Sequence, residues 1–416
     1  MAKNNNLTDF LQDIADTIRA KKGITGPISA QNFASEIASI ESSGGGTSGA
    51  ASKSDVNFYD YDGTLLHSYT KSAFLELPTL PDLPTKDGLT CQGWNYTIAD
   101  AKEYVTSYGV LDIGAMYITD DGNTRLYIKI AAAGRMTVPL YFSQTADNGV
   151  TIDWGDGSAT QTLSGTGNHN TTHTYASIGD YVIILKVNSG TLGFGYSSSS
   201  YSVMGSTKNN GIVYCNMLQK IEIGNGVISI DNYAFSDCYS LASAVIPNNV
   251  TNIGNFSFCA CYSLTSIVIP NSIERIGGSA FQDCSSLASV VIPESVTGTG
   301  TRTFQGCYSL ASVVIPESLT SLGNYSFHTC YSLASVVIPN GIKSIGAYLF
   351  SNCYGMAYYE FTALKSLPTL ANTNAFNNIP SDCKIVVPDS LYDTWIAATN
   401  WSTYANNIIK ASEFNN

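Results

Sequence analysis

Two carboxylates are the side chains of this sequence whose type and spacing are best suited to chemistry. Asp60 and Asp62 stand two residues apart, directly before Gly63. A carboxylate can act as a nucleophile, and a second one beside it can transfer a proton. The alternative is structural, because Asp-Gly is a favoured pair for the turn of a β-hairpin, here spanning residues 56–70.

The Asp60-x-Asp62-Gly63-Thr64 motif resembles the catalytic loop of haloacid-dehalogenase-like phosphatases. The resemblance implies that Asp60 attacks a phosphate and that Asp62 serves as acid and base. It also requires a downstream Ser or Thr, a Lys, an acidic pair for Mg²⁺ and a Rossmann-like α/β domain. Asp120-Asp121 could supply that pair, but residues 54–132 form too short a unit and lack an alternating βα pattern. We therefore predict a hairpin turn here and no enzymatic activity.

The remaining nucleophiles and metal-binding side chains have no partners at the spacing that a site needs. None of the four histidines has a Ser or Cys partner at the spacing of a catalytic triad. They are His67, His169, His173 and His328. The ten cysteines contain no Cys-x-x-Cys pair, which argues against zinc. The sequence therefore predicts no cofactor, no metal site and no catalytic residue.

Seven of the ten cysteines recur at a strict step of 23 residues. Phenylalanine, leucine and proline keep the same step, and the unit reads roughly A-F-x-x-C-Y-S-L-x-S-V-x-I-P-x-x-V-x-x-I-G-x-x. The V-x-I-P segment alternates like a strand, and so short a coil can bury its apolar side chains only by stacking on its neighbours. The sequence therefore predicts a solenoid in which the cysteines form a column of buried, unpaired thiols. These cysteines are Cys215, Cys238, Cys261, Cys284, Cys307, Cys330 and Cys353.

The repeat resembles BspA-like leucine-rich repeats over about residues 213–355. Members of that family are common on surface adhesins, so the resemblance implies recognition and carries over no catalytic residue. We expect the solenoid to span residues 213–388, with a degenerate last coil in which Phe376 and Pro388 break the spacing by three. Residues 389–416 are predicted to form a C-terminal cap that is helical over residues 391–409.

Two sets of solenoid residues are candidates for a binding surface. From Cys238 to Cys353, a tyrosine follows every repeated cysteine except Cys284, where Ser285 stands, and flat rings of this kind suit sugar or protein recognition. These are Tyr239, Tyr262, Tyr308, Tyr331 and Tyr354. Other positions vary between repeats, which favours exposure to solvent, and supply Asn232, Tyr233, Asn255, Asn324, Tyr325, Gln282, Gln305 and His328. The alternative for the tyrosines is a structural ladder wedged between coils.

The first 41 residues are predicted to be an anchor and oligomerisation segment. Residues 7–22 and 30–40 read as two short helices with apolar stripes, and residues 42–53 read as a Gly/Ser linker. The stripes are formed by Leu7, Phe10, Leu11, Ile14, Ile18, Phe33 and Ile37. The alternative is a helical cap packed on the rest of the chain. The amino-acid sequence from residue 7 to residue 40 resembles the N-terminal segment of structural tail proteins from phages of gut bacteria. This resemblance implies a place in a virion.

The middle of the chain reads as two further units. Residues 54–132 predict a small α+β unit: besides the first hairpin, Thr97-x-x-Asp100 opens a helix through about Tyr108, and a second hairpin turns at Asp121-Gly122. Residues 133–192 resemble a PKD-like β-sandwich through the words V-T-I-D-W-G-D-G and H-T-Y, which implies a spacer or adhesive module. Its Asp153 and Asp156 could bind calcium, but we predict that they form a turn. A Ser-rich connector is expected over residues 193–212.

The net charge of −12 excludes two classes of partner. Nucleic acids and anionic membranes both need clustered Lys and Arg. No apolar segment reaches the length of a membrane span, and the first residues do not read as a secretory signal. We therefore expect a mainly β, multidomain phage virion protein of tail or fibre type, assembled in the bacterial cytoplasm as a homo-oligomer. Its N-terminus would join other virion proteins, and its solenoid would recognise a host cell-surface glycan or protein. The alternatives are a bacterial cell-surface adhesin and a purely structural decoration protein.

Overall fold

The computed structural model describes residues 55–195, 201–206 and 214–414. The anchor helices predicted over residues 7–40, the seven apolar residues assigned to them and the linker over residues 42–53 lie outside the described residues. None of the helices in the described part of the chain has the length and apolar character that crossing a bilayer requires.

The described chain begins with an α+β unit, residues 55–119, built on one mixed sheet. Its strands are β1 (Val56–Tyr59), β2 (Leu65–Tyr69), β3 (Leu89–Trp94) and β4 (Leu111–Thr119), and its helices are α1 (Lys71–Leu75) and α2 (Ile98–Tyr108). The strand order is β2-β1-β4-β3, and β1 and β4 run parallel. The first predicted hairpin is confirmed, since β1 and β2 pair as antiparallel neighbours. The predicted helix start is also confirmed, because Thr97 Oγ1 accepts a hydrogen bond from Asp100 N–H at 3.2 Å.

The second predicted hairpin is wrong. Gly122 does make the expected turn, with a φ of 72°, but the strands on either side of it enter different sheets. β4 is buried along almost its whole length and has both edges occupied, by β1 and β3. The next strand, β5 (Thr124–Ile130), therefore pairs with other partners, and the α+β unit ends before residue 132.

A two-sheet sandwich follows, and its sheets continue into the solenoid. It comprises β5, β6 (Thr137–Gln144), β7 (Val150–Asp153), β8 (Gln161–Leu163), β9 (Gly167–Thr174), β10 (Gly179–Val187) and β11 (Leu192–Phe194). A 3₁₀ turn, Ala133–Arg135, lies between β5 and β6. Short strands β12 (Tyr201–Ser202) and β13 (Gly205–Ser206) and a 3₁₀ turn (Tyr214–Met217) then lead to the first coil.

The sandwich and the solenoid share a pair of sheets. In one sheet, β5 lies between β10 and the solenoid strand Leu218–Glu222, and in the other β11 lies between β6 and the solenoid strand Val227–Ile230. Residue 127 of β5 pairs with residue 220 of the first coil. The sandwich and the coils also share one continuous apolar core. The connector predicted over residues 193–212 includes residues 196–200 and 207–212, which lie outside the described residues, so it stays a prediction.

The solenoid stacks two strand positions per coil at the predicted step of 23 residues. At the first position lie β14 (Leu218–Glu222), β16 (Ser243–Val245), β19 (Ser289–Val291), β21 (Ser312–Val314), β23 (Ser335–Val337), β25 (Tyr358–Glu360), β27 (Lys384–Val387) and β28 (Ile408–Lys410). At the second lie β15 (Val227–Ile230), β17 (Asn252–Ile253), β18 (Arg275–Ile276), β20 (Gly298–Thr299), β22 (Ser321–Leu322), β24 (Ser344–Ile345) and β26 (Thr369–Leu370). Pairing is parallel and in register, as in Ser289 with Ser312. In the last coil Tyr358 pairs with Lys384, which confirms the predicted insertion of three residues.

The C-terminal end is closed by aromatic side chains. Helix α3 (Tyr392–Ala397) and 3₁₀ turns at Asp389–Leu391, Trp401–Tyr404 and Ala411–Glu413 surround β28. Trp395 and Trp401 are buried and pack edge-on against Phe361. The cap is therefore only partly helical, because β28 extends the sheet by one more parallel strand.

The predicted column of unpaired thiols is confirmed. All ten cysteines are free, and those of the repeat are buried. From Cys261 to Cys353, each thiol of the repeat donates to the carbonyl oxygen of the core phenylalanine in the preceding coil, as Cys284 Sγ does to Phe258 at 3.2 Å. The phenylalanine rings stack beneath them at 5.4 to 5.6 Å from Phe258 to Phe350. Burial raises the pKa of the thiols from Cys261 to Cys353, so these thiols remain neutral and serve as packing groups.

The α+β unit covers one outward face of the solenoid. We call this the valine face, formed by Val245, Val268, Val291, Val314 and Val337 at the x of V-x-I-P. Three of these valines lie in the same apolar cluster as Phe58 and Trp94 of the unit. Ser266 Oγ donates to the Tyr61 carbonyl at 3.0 Å, and a Cβ on Gly114 would come within 2.7 Å of a Val268 methyl group. The contact is thus tight, and it was not predicted from the sequence.

Candidate functional site

The two carboxylates of the Asp-x-Asp motif are held in the hairpin turn by one lysine. Lys86 Nζ lies 2.9 Å from Asp60 Oδ2 and 3.1 Å from Asp62 Oδ2. Asp60 is buried and also accepts the Tyr61 N–H, while Asp62 accepts the Thr64 N–H. Burial alone would raise the pKa of Asp62, but the hydrogen bonds from Thr64 and Lys86 lower it. Both carboxylates thus act as acceptors that shape the turn.

The other parts of a phosphatase site are not assembled around this turn. Asp120 accepts a hydrogen bond from Thr90, and Asp121 pairs with Arg125 at 2.8 Å. Among the described residues, no three His, Cys, Asp or Glu side chains converge as metal ligands. The surrounding sheet mixes parallel and antiparallel strands, unlike a Rossmann-like domain. The geometry therefore supports the hairpin interpretation of the motif.

A polar cavity of about 420 Å³ lies beside this turn, between the α+β unit and the first coil. It is lined by Tyr61, Thr85, Lys86, Asp87, Leu89, Tyr127, Lys220 and Glu222. Its charges are already compensated, since Lys220 Nζ lies 2.6 Å from Glu222 Oε1 and the Tyr127 hydroxyl donates to Glu222. Lys220 also lies over the rings of Tyr61 and Tyr127. These contacts join the α+β unit to the solenoid, which we also call the rod.

The predicted turn role of Asp153 and Asp156 in the sandwich is confirmed. Asp153 Oδ1 accepts the Gly155 N–H at 2.9 Å, and Asp156 Oδ1 accepts the Ser158 N–H at 3.1 Å. The second oxygen of Asp156 lies 2.7 Å from His173 Nε2, and the His173 ring stacks on Trp154. Hydrogen bonds from Ser158 and His173 lower the pKa of Asp156 to about 2.

The five predicted tyrosines form one column, which we call the tyrosine column. Neighbouring rings are stacked: Tyr239 on Tyr262 at 4.8 Å, Tyr308 on Tyr331 at 4.9 Å, and Tyr331 on Tyr354 at 5.3 Å between centroids. Their planes are within 21° of parallel. The rings nevertheless remain exposed, by 45% at Tyr262, 44% at Tyr308, 41% at Tyr331 and 56% at Tyr354. The column is therefore both an inter-coil ladder and an open aromatic surface.

The column is interrupted once, at Ser285, where a ring is missing. Ser285 is half-buried, and its Oγ reaches the Tyr262 carbonyl at 3.4 Å. Asp283 lies close by: burial first, and then its negative charge, raise the pKa of both Tyr262 and Tyr308. Asp283 therefore contributes negative potential at both tyrosines that flank the gap.

The variable asparagines make a second ladder between coils. Asn232 Oδ1 accepts the Asn255 N–H, Asn255 Oδ1 accepts the Gly278 N–H, and Asn324 Oδ1 accepts the Ala347 N–H, each at 2.7 Å. These three carbonyl groups are occupied within the rod rather than presented to a ligand. The residue type at this position of the repeat varies, since other coils have Gly278, Thr301 and Ala347 there.

A second stacked column follows these asparagines. Tyr233 stacks on Phe256 at 5.0 Å, and Tyr325 stacks on Tyr348 at 4.8 Å. The Arg302 guanidinium lies 5.0 Å from the Tyr325 ring centre. All members of this column have positive φ, for example 61° at Tyr233 and 59° at Arg302. The predicted residues Tyr233 and Tyr325 therefore occupy a strained backbone position that the stacking stabilises.

The last three predicted residues, Gln282, Gln305 and His328, are half-buried directly after the core phenylalanines. Gln282 Nε2 donates to Asp283 Oδ2 at 3.1 Å. Burial lowers the pKa of His328, and the edge of its ring meets Tyr325. They share one column, which lies next to the tyrosine column.

Comparison with known proteins identifies the repeat. The family model described as a BspA type leucine-rich repeat region matches in six copies, over residues 206–334 and 299–398. Residues 206–398 are a BspA-type leucine-rich repeat region. No curated protein matches the chain.

Solved structures of leucine-rich repeat proteins are similar to this chain. A leucine-rich repeat protein of T. pallidum is 25% identical, covers 49% of this chain and 85% of its own, and gives a TM-score of 0.33. One from Bacteroides ovatus is 23% identical over 52% of this chain and 61% of its own, also with a TM-score of 0.33. A leucine-rich cell surface protein from Faecalibacterium prausnitzii is 22% identical over 48% and 81%, with a TM-score of 0.24.

Within the BspA-type region, sequence reasoning found the tyrosine column but not Asp283 or Arg302. Both stand at left-handed backbone positions, with φ of 60° and 59°. Their counterparts in other coils include Ala260, Gly306 and Ser279, so neither residue belongs to the repeat pattern. A signal was present nonetheless, because Asp283 is in the same coil as Ser285, which stands where a tyrosine is expected between Tyr262 and Tyr308.

Proposed function

We propose that this chain is a non-enzymatic binding protein of a bacterial cell surface, and that its BspA-type repeats contact a macromolecular ligand through the tyrosine column. One observation carries the proposal: rings that are stacked and therefore ordered are still 41–56% exposed. The match to BspA-type repeats supports a recognition role, because such repeats form extended surfaces for binding. The same match suggests the location, since repeats of this type commonly occur in surface adhesins.

Stacking makes these rings suitable for binding because it removes their conformational freedom in advance. A free tyrosine loses side-chain entropy when a ligand immobilises it, and this loss weakens binding. In the column, each ring is already fixed between coils. Tyrosine is also one of the residues that most often dominate the energy of an interface. The column therefore presents a preordered strip of aromatic surface.

The column also accounts for much of the exposed apolar surface. The large apolar side chains exposed in the described residues are Leu83, Val110, Ile178, Ile228 and four tyrosines of the column. Those four tyrosines recur at the step of the repeat, and Tyr308, Tyr331 and Tyr354 stack directly on one another. The valine face, the other repeated apolar surface that points outward, is covered by the α+β unit. The tyrosine column is the outward array that remains open to a partner.

The proposal is tested by removing the rings without disturbing the core. We expect the triple variant Tyr308→Ser, Tyr331→Ser, Tyr354→Ser to reduce binding to a panel of intact bacterial cells and immobilised glycans at least tenfold. The matched control is Ile178→Ser in the sandwich, an equally exposed apolar residue outside the column. Circular dichroism and thermal unfolding would show that both variants stay folded. Equal binding by the triple variant and the control would refute the proposal.

The virion role predicted from residues 1–41 stays a prediction, because those residues lie outside the described part of the chain. It includes attachment to other virion proteins and homo-oligomerisation. Its test is independent of the tyrosine column: removing residues 1–41 should abolish incorporation into phage particles while the rod stays folded. Incorporation of the truncated chain would contradict it. Particles that incorporate the triple tyrosine variant and still bind cells would favour a purely decorative role for the rod.

A further inference from the structure

The gap at Ser285 has the dimensions of one planar group. Neighbouring rings of the tyrosine column lie 4.8 to 5.3 Å apart. Tyr262 and Tyr308 belong to coils two steps apart, so the spacing of stacked strands places their rings roughly 10 Å from each other. A flat group inserted midway would lie about 5 Å from each ring, which is the normal distance for aromatic stacking.

The coil that lacks the ring supplies a negative charge in its place. Gln282 Nε2 donates to Asp283 Oδ2 and so orients the carboxylate. Residue 306, in the next coil, is glycine, and a Cβ there would collide with Asp283 Oδ1. At the equivalent position other coils carry Asp237, Ala260, Thr329 and Asn352. Gly306 therefore makes room for the carboxylate beside this gap.

The rod itself shows which planar group can replace a ring in such a column. In the second column, the Arg302 guanidinium takes the place of an aromatic residue and lies 5.0 Å from the Tyr325 ring centre. That spacing equals the spacing between the rings themselves. A guanidinium is flat and positively charged, and it stacks on aromatic faces through cation–π attraction.

We propose that Tyr262, Ser285, Tyr308 and Asp283 form a slot for an arginine side chain of a protein partner. The two rings hold the faces of the guanidinium, and the Asp283 carboxylate accepts hydrogen bonds from its edge. A neutral ring would fill the space without using the carboxylate, and a lysine ammonium would use the carboxylate without filling the space. The net charge of −12 also favours a cationic partner. The proposal rests on the proposed function, because it names the ligand group that the column recognises.

The direct test measures binding of small probes to the full chain by NMR. We expect N-acetyl-arginine amide to shift the ring signals of Tyr262 and Tyr308 saturably, and to bind at least fivefold more tightly than the amides of N-acetyl-lysine and N-acetyl-tyrosine. Ser285→Tyr supplies the missing ring and should abolish binding. Asp283→Asn keeps the shape of the slot and should weaken binding at least fivefold. The control Ser309→Tyr adds an exposed tyrosine next to the column and should leave binding unchanged.

Two results would overturn the slot. One is tighter binding of N-acetyl-tyrosine amide or methyl glucoside than of the arginine probe. The other is arginine binding that survives in a folded Ser285→Tyr protein; if that variant does not fold, undiminished binding by Asp283→Asn decides the same point. Cell binding separates the two proposals. If the triple tyrosine variant loses cell binding while Ser285→Tyr retains it in full, the binding role of the tyrosine column is supported and the arginine slot is refuted.

Discussion

The valine face and the tyrosine column are both repeated arrays of side chains that point outward from the same coils. They differ in whether another part of the chain covers them. Val245, Val291 and Val314 pack against the α+β unit and are almost completely excluded from solvent, and the half-buried Val268 packs against the same cluster. The tyrosines pack only against one another along the rod and keep about half of their surface exposed. In a solenoid, a side chain that is repeated for packing inside the array can therefore also be a contact surface, provided that no other part of the chain covers it.

The largest effect is expected from a charge placed on the covered face. Val291→Asp should lower the free energy of unfolding by about 3–5 kcal/mol, because an unpaired carboxylate would be buried among apolar side chains. The matched control is Val337→Asp, the same position two coils further on, where the valine is only half-buried. We expect a loss of about 1 kcal/mol or less there. Urea unfolding measures both, and equal losses would contradict the assignment of the covered face.

A smaller effect is expected from removing a ring of the open column. Tyr331 stacks on two tyrosines, so Tyr331→Ala should cost about 1–2 kcal/mol at roughly 0.5–1.5 kcal/mol per pair. Among the described residues, Tyr354 stacks only on Tyr331, and Tyr354→Ala should cost about half as much. A loss above about 3 kcal/mol for Tyr331→Ala would show that these rings contribute as much to the free energy of unfolding as core residues do.

A small gain in stability is expected where a non-glycine residue takes a left-handed conformation. Ala260 has a φ of 60°, and a Cβ in that region is unfavourable by about 1–2 kcal/mol. Ala260→Gly should therefore stabilise the rod by about 0.5 kcal/mol after the entropy cost of glycine. The control Ala280→Gly, at a buried position without positive φ, should destabilise it. A destabilising Ala260→Gly would show that the methyl group contributes packing that outweighs the strain.

The smallest expected effect is a change in the pKa values of two tyrosines, without a change in the free energy of unfolding. Because the charge of Asp283 adds to burial in raising the pKa of Tyr262 and Tyr308, Asp283→Asn should lower both pKa values toward the ordinary value near 10. Tyr239 is the internal control, since burial and Asp237 raise its pKa to about 12. NMR titration of the tyrosine rings measures all three. Unchanged pKa values at Tyr262 and Tyr308 would contradict the placement of the Asp283 carboxylate beside the gap.

The parts of this structure that were predictable are those fixed by short-range patterns. The step of 23 residues determines the coil register, and the Asp62-Gly63 pair determines the first hairpin. The partners of β5 were not predictable, because residue 127 pairs with residue 220 across many intervening residues and strand pairing at such distances leaves no local pattern. The expected pairing with β4 failed because β1 and β3 already occupy both edges of that strand.

The candidate surface was predictable in part for a related reason. Regular spacing revealed the tyrosine column, but exposure cannot be read from spacing alone. Variation between repeats was taken as a sign of side chains that face solvent; Asn255 is exposed, but its Oδ1 atom and that of Asn232 accept backbone N–H groups of the next coil. A coil with Gly, Thr or Ala at that position lacks this acceptor. The outward valines were visible in the repeat, although nothing local indicated what would cover them.

The continuity of the sandwich sheets with the first coil has a consequence for assembly. A bare solenoid would end in unpaired strand edges, onto which a second rod could add by extending the same sheets. Here β5 and β11 already occupy the edges of β14 and β15. The N-terminal edges of the first solenoid strands are thereby paired within the chain, so a second rod cannot add its strands directly to this coil.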